Sequence, residues 1–152
     1  MGDGACSPIH ASGTACPDLG GIPQATDTLY REVVGVMQEK VPNALQSIHL
    51  HGFNGDPVTV KLWSDSYPGT YFGFSSMVKG FGDRQRRALK AVPGNRLLLE
   101  SDSPHLPDVA GSVNHPAHLF RAAEEVARVR DQSPLDVLRA SLANGRTLCR
   151  RK

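Results

Sequence analysis

An α/β fold of parallel strand–helix units is predicted by three observations on this 152-residue chain. Three short, nearly apolar segments read as strands: SIHLH at 47–51, TYFGFS at 70–75 and RLLLES at 96–101. Stretches with helical spacing and helix-start residues separate and follow them. Each connection is long enough for a crossover helix, and strands apolar on both faces belong in a parallel sheet with helices outside.

The elements follow in order. Residues 1–25, MGDGACSPIHASGTACPDLGGIPQA, are rich in Gly, Pro, Ala, Ser and Thr without periodicity. They are expected to be loop or disorder and to contribute no ligand, His10 included. From residue 26 to 152 the pattern is regular and is expected to form the folded domain. TDTLYREVVGVMQEKVP places Leu29, Val33 and Met37 four residues apart with Val36 beside them. That predicts an amphipathic helix capped by Thr26 or Asp27 and ending before Pro42. After SIHLH and a turn-rich GFNGDP, Asp56 caps a short helix with Pro57 in its first position and Val58, Leu62 and Trp63 as its apolar contacts. TYFGFS is aromatic and β-prone. Asp83 is expected to cap a helix running to about Val92, and RLLLES follows. Asn114 or His115 caps a helix containing Pro116, with Leu119, Ala123, Val126 and Val129 or Arg130 along one face. Ser133-Pro134-Leu135-Asp136 resembles a capping box and opens a last helix carrying Leu135, Leu138, Leu142 and Leu148.

Composition narrows the classes of function. Hydrophobic residues at 39% and charged residues at 21% are ordinary globular values. A net charge of +2 is too small to argue for a nucleic-acid partner by itself. The basic runs RQRR at 84–87 and CRRK at the end of the chain read as solvated helix surface. Three cysteines (Cys6, Cys16 and Cys149) are too few and too scattered for a disulfide framework. No apolar run approaches the roughly 18 residues a membrane helix needs, and no basic-then-apolar leader is visible. The expectation is an intracellular protein, cytoplasmic or nuclear, with no membrane partner.

The candidate chemistry sits at strand ends. Glu100 and Asp102 are two residues apart and share a face if the third strand runs that far; His49 and His51 stand in the same relation on the first. Ligands bind at the C-terminal ends of parallel strands. Two imidazoles and two carboxylates there suit one divalent cation. By spacing alone, an HxH can equally be two polar residues at a strand end, and an ExD an N-cap beside a surface acid.

RLLLESDSPHL at 96–106 resembles the strand-eight signature of the TatD family of metal-dependent deoxyribonucleases, R-L-L-L-E-T-D-S/A-P-Y-L. HGFNG at 51–55 is similar to the family's H-C/S-F-T/D-G after strand six, and YFGFSSMV to its strand seven. NHPAHLFRAAEEVARVRDQSPLDVLRASLANGRTL is similar to its two closing helices, including Asn144. The resemblance implies a metal-dependent hydrolase on a TIM-type (β/α) barrel, present as an incomplete barrel of about the last three βα units. His51 would bind metal or the substrate phosphate. Asp102 would be a metal ligand and the catalytic general base, and Glu100 would support substrate binding. The resemblance further implies a divalent cation (Mg, Mn or Zn) and DNA or another phosphodiester as substrate. His49 falls where the family carries an apolar or variable residue and reads as a partly buried strand histidine. His105 replaces the family's tyrosine, so no role transfers to it.

The sequence departs from the family in one large respect: it contains no H-x-H-x-D. The fifth residue of HLHGF is Phe53, and the family's strand-four glutamate and strand-five histidine also lack counterparts. A complete barrel takes about 250 residues. The chain is therefore expected to be a C-terminal fragment or truncated isoform with at most two implied metal ligands, weak or inactive alone. Apolar positions Ile48, Leu50, Leu97 and Leu99 would be exposed beside an open sheet edge. The alternative function is a catalytically inactive partial barrel that acts, if at all, by pairing with another chain along open strand edges.

Overall fold

The computed structural model describes residues 9–12, 23–105 and 113–150. The three expected strands form as β2 (Ile48–His51), β3 (Thr70–Phe74) and β4 (Leu97–Leu99), adjacent in that order and all parallel. A further strand precedes them. β1 (Ile9–Ser12) pairs in parallel with β2, so the described sheet has the order β1-β2-β3-β4.

β1 corrects the expectation that 1–25 is uniformly irregular. IHAS has neither alternation nor length to mark it as a strand; its conformation comes from ladder partners on β2, a tertiary effect that local propensity does not record. The register sets His10 level with His49 and Ser12 level with His51. The first helix, α1 (Pro23–Lys40), also begins earlier than Thr26, and a proline is at home in a first turn because its missing N–H would have no intrahelical partner. The rest of the segment (1–8 and 13–22), the side chain of His10 and the last two basic residues lie outside the described residues.

Four more helices follow: α2 (Pro57–Ser66), α3 (Asp83–Ala91), α4 (Leu119–Arg130) and α5 (Pro134–Leu148). Each packs on the next in sequence, and α5 also packs on β4. Beneath them Ile48, Leu50, Phe72, Phe74 and Leu97 join Tyr30, Val34, Trp63, Leu89, Val126 and Val137 in one core. Ile48, Leu50 and Leu97 are at most 2% exposed, which corrects their expected exposure. The helical layer covers them, and each such burial contributes about 1.5–3 kcal/mol.

Two helical faces are rotated from the expected ones. On α1 the buried positions are Tyr30 and Val34, flanked by Val33 and Met37, while Leu29 and Val36 are exposed. Tyr30 leads the stripe because its ring packs on Phe53, with centroids 5.2 Å apart. On α5 Leu135 and Leu142 are exposed, while Val137 and Asn144 are buried. The face is chosen by backbone groups of β4 that need partners. Asn144 Nδ2 donates to the carbonyls of Gly94 and Leu97, both at 2.8 Å, and Ser141 Oγ accepts the Leu99 N–H at 2.9 Å. Val58 on α2 is likewise exposed, and Thr59, Val60 and Trp63 are the buried residues there.

The caps are close to expectation. Asp56 accepts the Thr59 N–H at 2.7 Å, and Ser133 accepts the Asp136 N–H at 3.1 Å. Gly82 rather than Asp83 is the cap residue of α3, with the Gln85 side chain accepting the Gly82 N–H at 2.9 Å. A single 3-10 turn, Pro116–His118, capped by His115, leads into α4. The RQRR run lies on α3, where Arg86 and Arg87 line a groove against Arg128 of α4.

Burial works to raise the Asp56 carboxyl, but hydrogen bonds from Thr59 and the charges of Arg84 and Arg31 outweigh it and hold the group below its ordinary value of 3.8. A carboxylate lowered in the folded state contributes stability above its unfolded value and loses it as pH falls through the folded one. Asp56→Ala is expected to cost about 1 kcal/mol at pH 7, read from urea unfolding. Asp56→Asn keeps a capping oxygen and should lose less stability than the parent between pH 5 and pH 3, because it has no proton to take up.

A candidate metal centre at the strand ends

His51 is the last residue of β2. The chain then turns through Gly52, whose φ of 60° is a left-handed conformation that glycine adopts without a Cβ penalty. The turn aims the Gly52 N–H at Glu100 Oε2, 2.9 Å away. It also lets the Phe53 N–H reach the Gly73 carbonyl at 2.9 Å, and Phe53 goes on to pack against Phe72 and Phe74.

β4 ends at Leu99, one residue before the first carboxylate, and the Glu100 N–H still bonds to the Phe74 carbonyl at 2.9 Å. The two carboxylates therefore do not share a face through strand alternation, as the spacing had suggested. Asp102 has φ 54°, a left-handed conformation that aspartate tolerates better than most residues, and that turn brings its carboxylate beside that of Glu100. Asn114 holds the following loop: its side-chain amide donates to the Ser101 carbonyl and, at 2.7 Å, to the His105 carbonyl.

The side chains converge above β3. His51 Nε2 lies 3.2 Å from Asp102 Oδ1 and 3.7 Å from Glu100 Oε2. One ligand atom from each of His51, Glu100 and Asp102 lies within 4.8 Å of the others. The His51 side chain is 40% exposed, whereas those of Glu100 and Asp102 are 8% and 9% exposed. His49 joins from below, its Nε2 2.6 Å from Glu100 Oε1. His105 is exposed and stands outside the group.

The convergence depends on Gly73. A Cβ there would sit 1.7 Å from Glu100 Oε1 and 2.7 Å from His49 Nε2. Glycine inside a strand marks a close approach, and YFGFS carries that mark in the sequence. Gly52 and Asn114 also serve the site without having been assigned to it; only their turn-forming and helix-capping character was visible.

The donor set fits a divalent cation. Glu100 Oε1 and Asp102 Oδ1 are fully buried without a hydrogen bond among the described residues, and the groups beside them are the imidazoles of His49 at 2.6 Å and His51 at 3.2 Å. Two carboxylates this close and this buried repel unless positive charge compensates them. One imidazole and two carboxylate oxygens, with solvent access beside His51, suit magnesium, manganese or zinc and leave a position open for water.

The profile of the family described as TatD related DNase matches residues 24–150. A 3'-5' ssDNA/RNA exonuclease TatD of Citrobacter koseri is 31% identical over 118 residues, covering 72% of this chain and 43% of that protein. An uncharacterized metal-dependent hydrolase of Buchnera aphidicola is 28% identical over 120 residues, covering 77% of this chain and 44% of that protein. The chain thus spans less than half the length of these curated relatives. Among solved structures, the TatD homolog YjjV of Escherichia coli superposes with a TM-score of 0.64 at 21% identity, covering 78% of this chain and 46% of that one. A TatD family hydrolase of Entamoeba histolytica also gives 0.64, at 13% identity, covering 78% and 47%. These likenesses agree on the fold: the parallel sheet and its helices fit a TIM-barrel hydrolase.

Gly73→Ala is expected to drive Glu100 out of the group and to weaken manganese binding by about tenfold or more. The overpacking should also cost about 1–3 kcal/mol of stability. Titration with Mn(II) followed by electron paramagnetic resonance checks the first effect, and urea unfolding without metal the second.

Proposed function

The chain belongs to the TatD related DNase family, and from that premise we propose that it acts as a metal-dependent hydrolase of phosphodiester bonds, with single-stranded DNA or RNA as its substrate class. The observation that carries the proposal is the convergence of His51, Glu100 and Asp102 at the C-terminal ends of parallel strands, one ligand atom from each lying within 4.8 Å of the others. In this reading the described strands are part of a TIM-type barrel and the protein works inside the cell. No described helix is long and apolar enough to cross a membrane.

The three residues take different parts. His51 is the most exposed of them and stands where an incoming phosphate and the ion are both within its reach. Asp102, anchored by its left-handed turn, accepts the proton of the attacking water as general base. Glu100, held by the Gly52 N–H, is the third donor and keeps the substrate-facing side of the group in place. A bound divalent cation would polarise a phosphoryl oxygen and lower the pKa of a coordinated water.

A second reading takes the described residues alone, among which only His51, Glu100 and Asp102 form a group that could hold a metal ion. In it the chain keeps the fold but not turnover, and acts by pairing with another chain through an outer strand of the sheet. The two readings separate in one experiment: purified chain, Mn(II) or Mg(II), and end-labelled single-stranded DNA and RNA. The expected result is weak, metal-dependent cleavage that EDTA and Asp102→Asn each abolish. Cleavage that survives Asp102→Asn would remove that residue from the mechanism. Ion binding with no cleavage at all would favour the second reading.

A further inference from the structure

We infer that His49 is a positioning residue of the metal centre, acting through Glu100. The inference rests on the metal reading above and adds a residue to which that reading gives no task. His49 lies inside β2, level with Tyr71 of β3, and is 9% exposed. Hydrophobic burial alone would place a Val or Ile here, and an imidazole in such a position costs desolvation unless a polar partner meets it. The partner is Glu100. Its Oε1 stands 2.6 Å from His49 Nε2, and its Oε2 accepts the Gly52 N–H at 2.9 Å. The carboxylate is therefore met at both oxygens from the β2 side, by a backbone hydrogen bond at Oε2 and by the imidazole in ion-pair range, without hydrogen-bond geometry, at Oε1. The two contacts set the plane in which Oε2 faces His51 Nε2 at 3.7 Å. Gly73 leaves the gap in which this contact forms, since a Cβ there would collide with both partners.

Partners of this kind, which touch a ligand rather than the ion, set its orientation, and their loss typically costs 10–100-fold in metal affinity. Removal of His49 would leave Oε1 buried with the imidazole gone, so the carboxylate would rotate or the loop would open to water. Both movements take Oε2 away from His51 and Asp102.

The test compares His49→Gln, His49→Leu and His49→Asn with the parent by Mn(II) titration under electron paramagnetic resonance, alongside thermal melts without metal. Glutamine can reach Glu100 with an N–H; leucine has no donor and asparagine is too short. The expected result is affinity weakened roughly 10–100-fold in His49→Leu and His49→Asn and largely retained in His49→Gln. If leucine prevents folding, asparagine decides. Parental affinity in a folded leucine or asparagine variant would overturn the positioning role while leaving the metal centre intact, and so would equal losses in all three variants. A parent that binds no Mn(II) would overturn the metal reading and this inference with it.

Discussion

The absence of a side chain at Gly73 is the constraint on which the site depends. β2 and β4 are separated by β3, and strands lie about 4.8 Å apart, so groups on the outer two must reach across the middle one to meet. They can do so only where the middle strand presents nothing but backbone. On the opposite face of β3, Phe72 and Phe74 pack around Phe53. One face of the strand is filled with aromatic rings, while on the other a glycine stands beside Tyr71 and leaves a gap. The bulk holds the sheet in place, and the gap lets charged groups collect above it.

Phe53 ties these two faces together. Its ring is buried between Tyr30 of α1 and the phenylalanines of β3, while its N–H is bonded to the Gly73 carbonyl. The turn that carries the Gly52 N–H to Glu100 is therefore seated in the hydrophobic core. Rigidity of that turn follows from packing, and it is what makes a backbone donor useful at a polar site: the N–H is held in the direction of the carboxylate without a side chain of its own to order.

Much of this was legible in the sequence, and the remainder was hidden for identifiable reasons. His51 and Asp102 could be read because each lies next to a short apolar run and within motifs resembling a known family. The strands β2, β3 and β4 could be read because their residues are nearly all apolar or aromatic apart from the two histidines that share one face of β2. β1 could not, since IHAS is a strand only by virtue of its pairing with β2. The buried face of α5 was misread because hydrophobic spacing points to Leu135 and Leu142, whereas that face is selected by Asn144 and Ser141 serving the backbone of β4. The approach of the two carboxylates was expected from strand alternation and comes instead from a left-handed turn at Asp102, which spacing does not reveal. The glycine in YFGFS was in plain view, but its purpose depends on Glu100, a contact distant in sequence.

The tie between α5 and β4 has a consequence for the sheet as a whole. The Leu97 carbonyl and the Leu99 N–H are the groups through which another strand would bond to β4, and both are occupied, by Asn144 and Ser141. That margin is insulated. A helix has put two side chains where a neighbouring backbone would go, and it protects β4 from the edge-to-edge association to which unpaired strands are prone. A strand coming to lie along β4 would have to displace the Asn144 and Ser141 side chains first.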